Sequence, residues 1–187
     1  MTAPTEVKIG TEVKKYVRDI ISRGDCPLFF PLSEVREVSA PEDGESGGKE
    51  YPGEVIKAYF YTDGYTPLKD VRTDSPFEGA RILAALVREV QNGENYYVTP
   101  RDYVLSEETV FVRMRGEEPR IKMIFRPANP EKRERNQWEY IADYLLGEPL
   151  REYPEYMREV RAILSSPGAY RNAWRRLELF KRKMYAL

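Results

Sequence analysis

The stretch from Ser75 to Pro127 constrains the fold more than any other part of this chain. It opens with Ser75-Pro76-Phe77-Glu78, a capping box with proline at the first helical position. A serine oxygen there can accept the orphan N–H of residue 78, and the glutamate can reach back, so a helix begins at this point. Ile82, Leu83, Leu86, Val87 and Val90 follow at helical spacing. That stripe predicts an amphipathic helix packed on a sheet through one face. Asn92-Gly93 supplies a left-handed stop. Tyr96–Val98 and Tyr103–Leu105 then read as short extended pieces around Thr99-Pro100. Thr109–Met114 and Arg120–Phe125 alternate around Gly-Glu-Glu-Pro, the pattern of a β-hairpin.

The flanks extend this core. Val13, Tyr16, Val17, Ile20 and Ile21 share one helical face that Gly24 ends. CPLFFPLSEVREV reads as a strand that Pro27 and Pro31 confine to an edge or to short pieces. Residues 39–50 (SAPEDGESGGKE) are small, polar and glycine-rich, and read as a flexible loop. EVIKAYFYTDG, rich in β-branched and aromatic residues, is the clearest strand, closed by Asp63-Gly64. From Glu131 the composition turns to helix formers. Trp138, Ile141, Ala142, Leu145 and Leu146 make one stripe, and Tyr153, Tyr156, Met157, Val160, Ile163 and Leu164 make a second. The third, after Ser166-Pro167, holds Tyr170, Ala173, Trp174, Leu177, Phe180 and Met184. The expected architecture is α+β: a small antiparallel sheet packed on helices over residues 1–130, then a three-helix subdomain over 131–187.

Residue types limit the chemistry. The chain has no histidine and a single cysteine, Cys26. Ser-His-Asp and Cys-His machinery, histidine-bound zinc and an internal disulfide framework are thereby excluded. Cys26, beside Pro27 and apolar residues, reads as an inert buried thiol. Glu42, Asp43 and Glu45 lack calcium-loop spacing, and GESGGKE lacks the spacing of a phosphate loop. Neither a metal nor a cofactor is expected. Charged residues make up 33% of the chain yet cancel to a net −1, which argues against a dedicated nucleic-acid binder. The N-terminus has no apolar run of signal-peptide length, and no run reaches the 18 residues of a membrane span, so a soluble cytoplasmic protein is expected.

Two surface features offer binding chemistry. Arg171, Arg175, Arg176, Lys181, Arg182 and Lys183 face one acid, Glu178, on the last helix. They read as a solvated face, or alternatively as a site for anionic lipid or nucleic acid. The tyrosine pairs Tyr59/Tyr61, Tyr96/Tyr97 and Tyr153/Tyr156 can be half-buried packing residues or line a partner groove.

The order TDGYTPLKDV, capped helix, YYVTPRDYVLSEETVFV, RIKMIFRP resembles an uncharacterised bacterial domain family often found ahead of forkhead-associated phosphopeptide-binding modules. QWEYIADYLLG and AYRNAWRRLELF fit the same layout, so the resemblance spans roughly Leu28 to Leu179. No forkhead-associated module occurs in these residues. The central stretch also resembles a degenerate protein-kinase core. Pro100-Arg101-Asp102-Tyr103-Val104-Leu105 lies where a kinase has its catalytic-loop P-E-N-I-L-L, with Asp102 at the metal-binding asparagine. The base position falls on Tyr97 and the D-F-G position near Phe125-Arg126-Pro127. Such a core, lacking base and principal magnesium ligand, could not transfer phosphate. The resemblance implies a non-catalytic scaffold that recognises a protein partner through Tyr96, Tyr97, Asp102 and Arg126. The alternatives are a nucleotide-binding or enzymatic remnant using Asp102, and an anionic-surface binder using the last helix.

Overall fold

The computed structural model describes residues 5–9, 13–38, 55–114, 116, 118–128, 136–165 and 170–187. The expected loop at 39–50 lies outside them. The fold is α+β, with five helices and two three-stranded antiparallel sheets among these residues.

The first sheet has the order β1-β3-β2, from Thr5–Ile9, Val55–Phe60 and Leu32–Val38. The apolar β3 is its centre, with Ala58 and Phe60 fully buried. Helix α1, Lys15–Arg23, precedes β2; Gly24 closes it at φ 69°. Val17 and Ile21 are buried, whereas Tyr16 turns outward from the face that the sequence assigns it to. The second sheet has the order β4-β5-β6, from Thr66–Pro67, Val110–Met114 and Pro119–Met123. The expected hairpin forms, pairing Val110 with Met123 and Met114 with Pro119, so Pro119 belongs to β6 rather than to the turn and the strand ends at Met123 rather than Phe125.

Pro31 divides its segment between the two sheets. Before it, the Phe30 N–H donates to Met123 O (2.9 Å) and the Met123 N–H donates to Leu28 O (2.8 Å), adding a short parallel bridge to β6. After it, the chain enters β2 at the edge of the other sheet. A proline has no N–H to lose from a ladder, so it can stand where pairing changes hands. Phe29 and Phe30 serve different clusters. Phe29 meets Tyr103 and Phe125 edge-on at 5.1 and 5.6 Å, and Phe30 meets Tyr65 and Phe111 at 5.2 and 5.5 Å.

Helix α2, Pro76–Glu94, is the axis of the core. Its cap forms as predicted at Ser75, whose Oγ accepts the Glu78 N–H (3.2 Å); the reciprocal bond goes one residue further out, from the Asp74 N–H to Glu78 Oε2 (3.3 Å). Two expectations for this helix fail. It is not buried on one face only: Gly79, Ala80, Ala84, Ala85 and Gly93 are buried along with the predicted stripe. The extra buried face comes from helices α3 (Gln137–Leu146) and α5 (Tyr170–Met184), which pack on α2 together with β6. Nor does Asn92-Gly93 stop it. Gly93 stays helical and serves close packing, since a Cβ there would lie 3.0 Å from Leu28 Cδ2. Gly79 is tighter still: a Cβ would lie 2.5 Å from the Leu145 carbonyl oxygen. The left-handed residue is Tyr97 instead, at φ 60°.

Helix α4, Pro154–Ser165, completes the set, packing on α3 and α5. Buried residues from 1–130 and from 131–187, among them Leu83, Phe125, Ile141, Leu177 and Phe180, belong to one cluster. The two expected units thus share a core. Among the described residues no helix is long and apolar enough to cross a membrane.

Candidate functional site

The residues after α2 fold into a braced loop. The Asp102 N–H donates to Thr99 O (2.8 Å), and Asp102 Oδ2 accepts both the Thr99 N–H (2.8 Å) and the Thr99 hydroxyl (2.9 Å). Pro100 pre-sets the turn between them. The next residues run antiparallel to 126–128. The Val104 N–H donates to Arg126 O (2.8 Å) and the Ala128 N–H to Asp102 O (3.2 Å). Gln137, at the start of α3, holds the loop from another side. Its Oε1 accepts the Leu105 N–H, and its Nε2 donates to Pro100 O (3.2 Å) and, at the 3.5 Å limit, to Tyr103 O. Buried Thr109 Oγ1 accepts the Ser106 N–H (2.9 Å) and lies 2.9 Å from Val104 O, to which it can donate. A loop with this many internal bonds is rigid scaffolding.

Asp102 and Arg126 therefore sit on neighbouring backbones, but their side chains diverge in purpose. The Asp102 carboxylate is spent on Thr99, with its other oxygen 3.8 Å from Lys14 Nζ. Arg126 pairs with Glu108 at 3.3 Å, both largely exposed, a contact worth little to stability. Lys14 Nζ also lies 5.7 Å from the Tyr16 ring centre. Tyr96 and Tyr97 follow the last turn of α2, their N–H groups donating to Gly93 O (2.9 Å) and Glu94 O (3.0 Å). Tyr97 is 78% exposed and Tyr96 37%. Among the described residues no three histidine, cysteine, aspartate or glutamate side chains gather as they would around a metal ion. What the loop presents outward is the aromatic surface of Tyr96 and Tyr97, while Lys14 lies near its Asp102.

Tyr103, expected in a short extended piece, is the largest fully buried side chain among the described residues. Its hydroxyl finds no hydrogen-bond partner among the described residues. Burial first, then the charges of Cys26, Glu94 and Asp102, hold its phenol well above the usual tyrosine range. Cys26 is buried and burial raises its thiol too, against the opposing pull of the Leu28 and Phe29 backbone N–H groups. It has the character of an inert thiol.

On α5 the cations divide. Lys181 is largely buried and pairs with Glu178 (2.6 Å) and Glu118 (3.4 Å), which also faces Arg88. Lys183 pairs with Glu159 of α4 at 2.6 Å. Arg175, Arg176 and Arg182 are exposed, Arg175 lying 5.5 Å from the Trp174 ring centre. The Arg171 side chain lies outside the described residues. An open groove of about 340 Å³ runs beside α4, floored by Leu150 and Met157 and rimmed by Arg151, Arg158 and Arg161. Arg161 is committed there to Asp143 (2.8 Å). Tyr153 and Tyr156 stay together, their ring centres 6.0 Å apart, and Tyr156 also packs toward Phe180 at 6.2 Å.

A scan against protein-family models finds no match for this chain, and a search of curated proteins finds no relative.

Proposed function

We propose that the chain is a non-catalytic protein-interaction domain that recognises its partner through the surface around Tyr97. One observation carries this reading. Tyr97 holds a left-handed backbone, which costs a residue with a Cβ about 1–2 kcal/mol. Glycine or asparagine would hold that backbone at less cost. The tyrosine offsets none of the penalty by burial, since its ring is mostly in solvent. A strained, exposed aromatic is the kind of residue that serves an interface, where tyrosine supplies large contact area at low entropic cost.

The neighbouring polar groups support recognition over chemistry. One oxygen of the Asp102 carboxylate is already held by the Thr99 N–H and O–H, which weighs against the nucleotide-binding remnant. The resemblance to the bacterial domain family and to a degenerate kinase core adds a setting: a scaffold working in a bacterial cytoplasm.

The test places a photo-reactive phenylalanine at position 97, with a control at exposed Lys69. Irradiation in lysate of the source organism should give a discrete protein adduct from position 97 alone. Unlabelled wild-type protein should compete it away, and Tyr97→Gly should not. Equal competition by Tyr97→Gly would overturn the proposal.

A further inference from the structure

We infer that the outer face of α5 is a docking surface for anionic lipid headgroups, independent of the reading at Tyr97. The decisive residue is Leu179. It belongs to none of the stripes that build the core and is 59% exposed in the middle of the helix's solvent face. At 100° per residue, Arg175, Arg176, Arg182 and Lys183 all lie within about 60° of it around the axis. They stand three or four residues away on either side, so one leucine is ringed by three exposed arginines and by Lys183, which is shared with Glu159 of α4. Asn172 and Ala186 complete the arc, and no acid of α5 lies within it. Glu178 lies about 100° from Leu179, outside the arc, and is paired with Lys181, which points inward. The opposite face is fixed to the molecule by Ala173, Leu177, Phe180 and Met184, so the helix cannot roll to hide the leucine.

Charge complementarity selects a polyanion, and the leucine selects which. Nucleic acid offers phosphates and bases, and bases stack on aromatic rings, for which an aliphatic centre is no platform. An anionic bilayer offers phosphates above an apolar boundary, where cations take the headgroups and a central leucine enters the acyl edge. Arginine suits this role because its planar guanidinium binds phosphate with two donors. With one apolar residue, the docking is weak, reversible and salt-sensitive.

The test is co-sedimentation of the full chain with vesicles of phosphatidylcholine alone or with about one-third phosphatidylglycerol, at low and high salt. Binding should require the anionic lipid and fall steeply with salt. Replacing Arg175, Arg176 and Arg182 by glutamine should weaken it on the order of 100-fold. Leu179→Gln should weaken it roughly tenfold at unchanged charge. All four positions are exposed, so unchanged circular dichroism and Tm should accompany the loss. The proposal is overturned if the chain stays in the supernatant with anionic vesicles at low salt. It is equally overturned if Leu179→Gln binds like wild type, or if single-stranded RNA is bound more tightly than the vesicles.

Discussion

Replacing Tyr103 with phenylalanine should stabilise the protein. The ring is fully buried, edge-on to Phe29 at 5.1 Å, and phenylalanine keeps that contact. Only the hydroxyl leaves, and it has no hydrogen-bond partner among the described residues. A buried polar group without a partner costs about 1–3 kcal/mol. Against this, the void left by one oxygen, ~12 Å³, costs roughly 0.3 kcal/mol. The balance is a gain of about 1 kcal/mol, or about 2–4 °C in Tm for a chain of this size. A pH series sharpens the test. The folded-state pKa of Tyr103 is raised, so its contribution is fully present below the unfolded value near 10 and is lost as pH climbs beyond it. Above pH 10, wild type should lose up to ~1.4 kcal/mol per pH unit more than Tyr103→Phe. Cys26 titrates in both proteins, so the difference isolates the phenol. Urea titrations at pH 7.5, 10 and 11 measure both effects. A Tyr103→Phe protein less stable than wild type at pH 7.5, with a parallel alkaline slope, would mean the hydroxyl is bonded and the reasoning is wrong.

The two buried glycines of α2 should respond differently to alanine. At Gly79 the new Cβ meets a backbone carbonyl that cannot move aside, so a loss of about 2 kcal/mol or more is expected despite the gain in helix propensity. At Gly93 it meets a leucine methyl, and denaturant titration should show a change within about 1 kcal/mol of zero. Gln137→Ala leaves the Leu105 N–H without its acceptor and should cost about 1–3 kcal/mol by the same assay, with Gln137→Glu recovering part of it. The Cys26 thiol should resist a bulky thiol reagent at pH 8 and react promptly once urea unfolds the chain; rapid labelling of the native protein would contradict its burial.

Features written in local sequence were legible. Ser75-Pro76-Phe77-Glu78 names a helix start because capping needs residues only three apart, and the β5–β6 hairpin follows from alternation around one turn. Gly93 does not stop the helix, because glycine serves two needs that look alike in sequence. One is a left-handed backbone and the other is room for a neighbour, here Leu28, 65 positions earlier. Helix α2 looked one-sided because Ala80, Ala84 and Ala85 carry little hydrophobic signal, yet small residues are what let α3 and α5 approach. At the candidate site, Thr99-Pro100-Arg101-Asp102 contained its own explanation. A threonine three residues before an aspartate across a proline turn can consume the carboxylate locally. Gln137 had no such signal, since the loop it braces lies more than 30 residues away. Leu179 is the one large apolar residue of α5 off the core stripe, and its exposure among cations is a property of the packed helix that spacing alone does not give.

The burial of α2 on so many sides bears on how the molecule opens. Its backbone N–H groups lie beneath β6, α3 and α5 at once, so no single element can peel away and leave them bare. Hydrogen exchange along Ile82–Val90 should therefore wait for whole-chain opening and report the global free energy directly. The outer elements should exchange through smaller, local events. The helix whose first turn is announced by four residues would then be the last part of the protein to come undone.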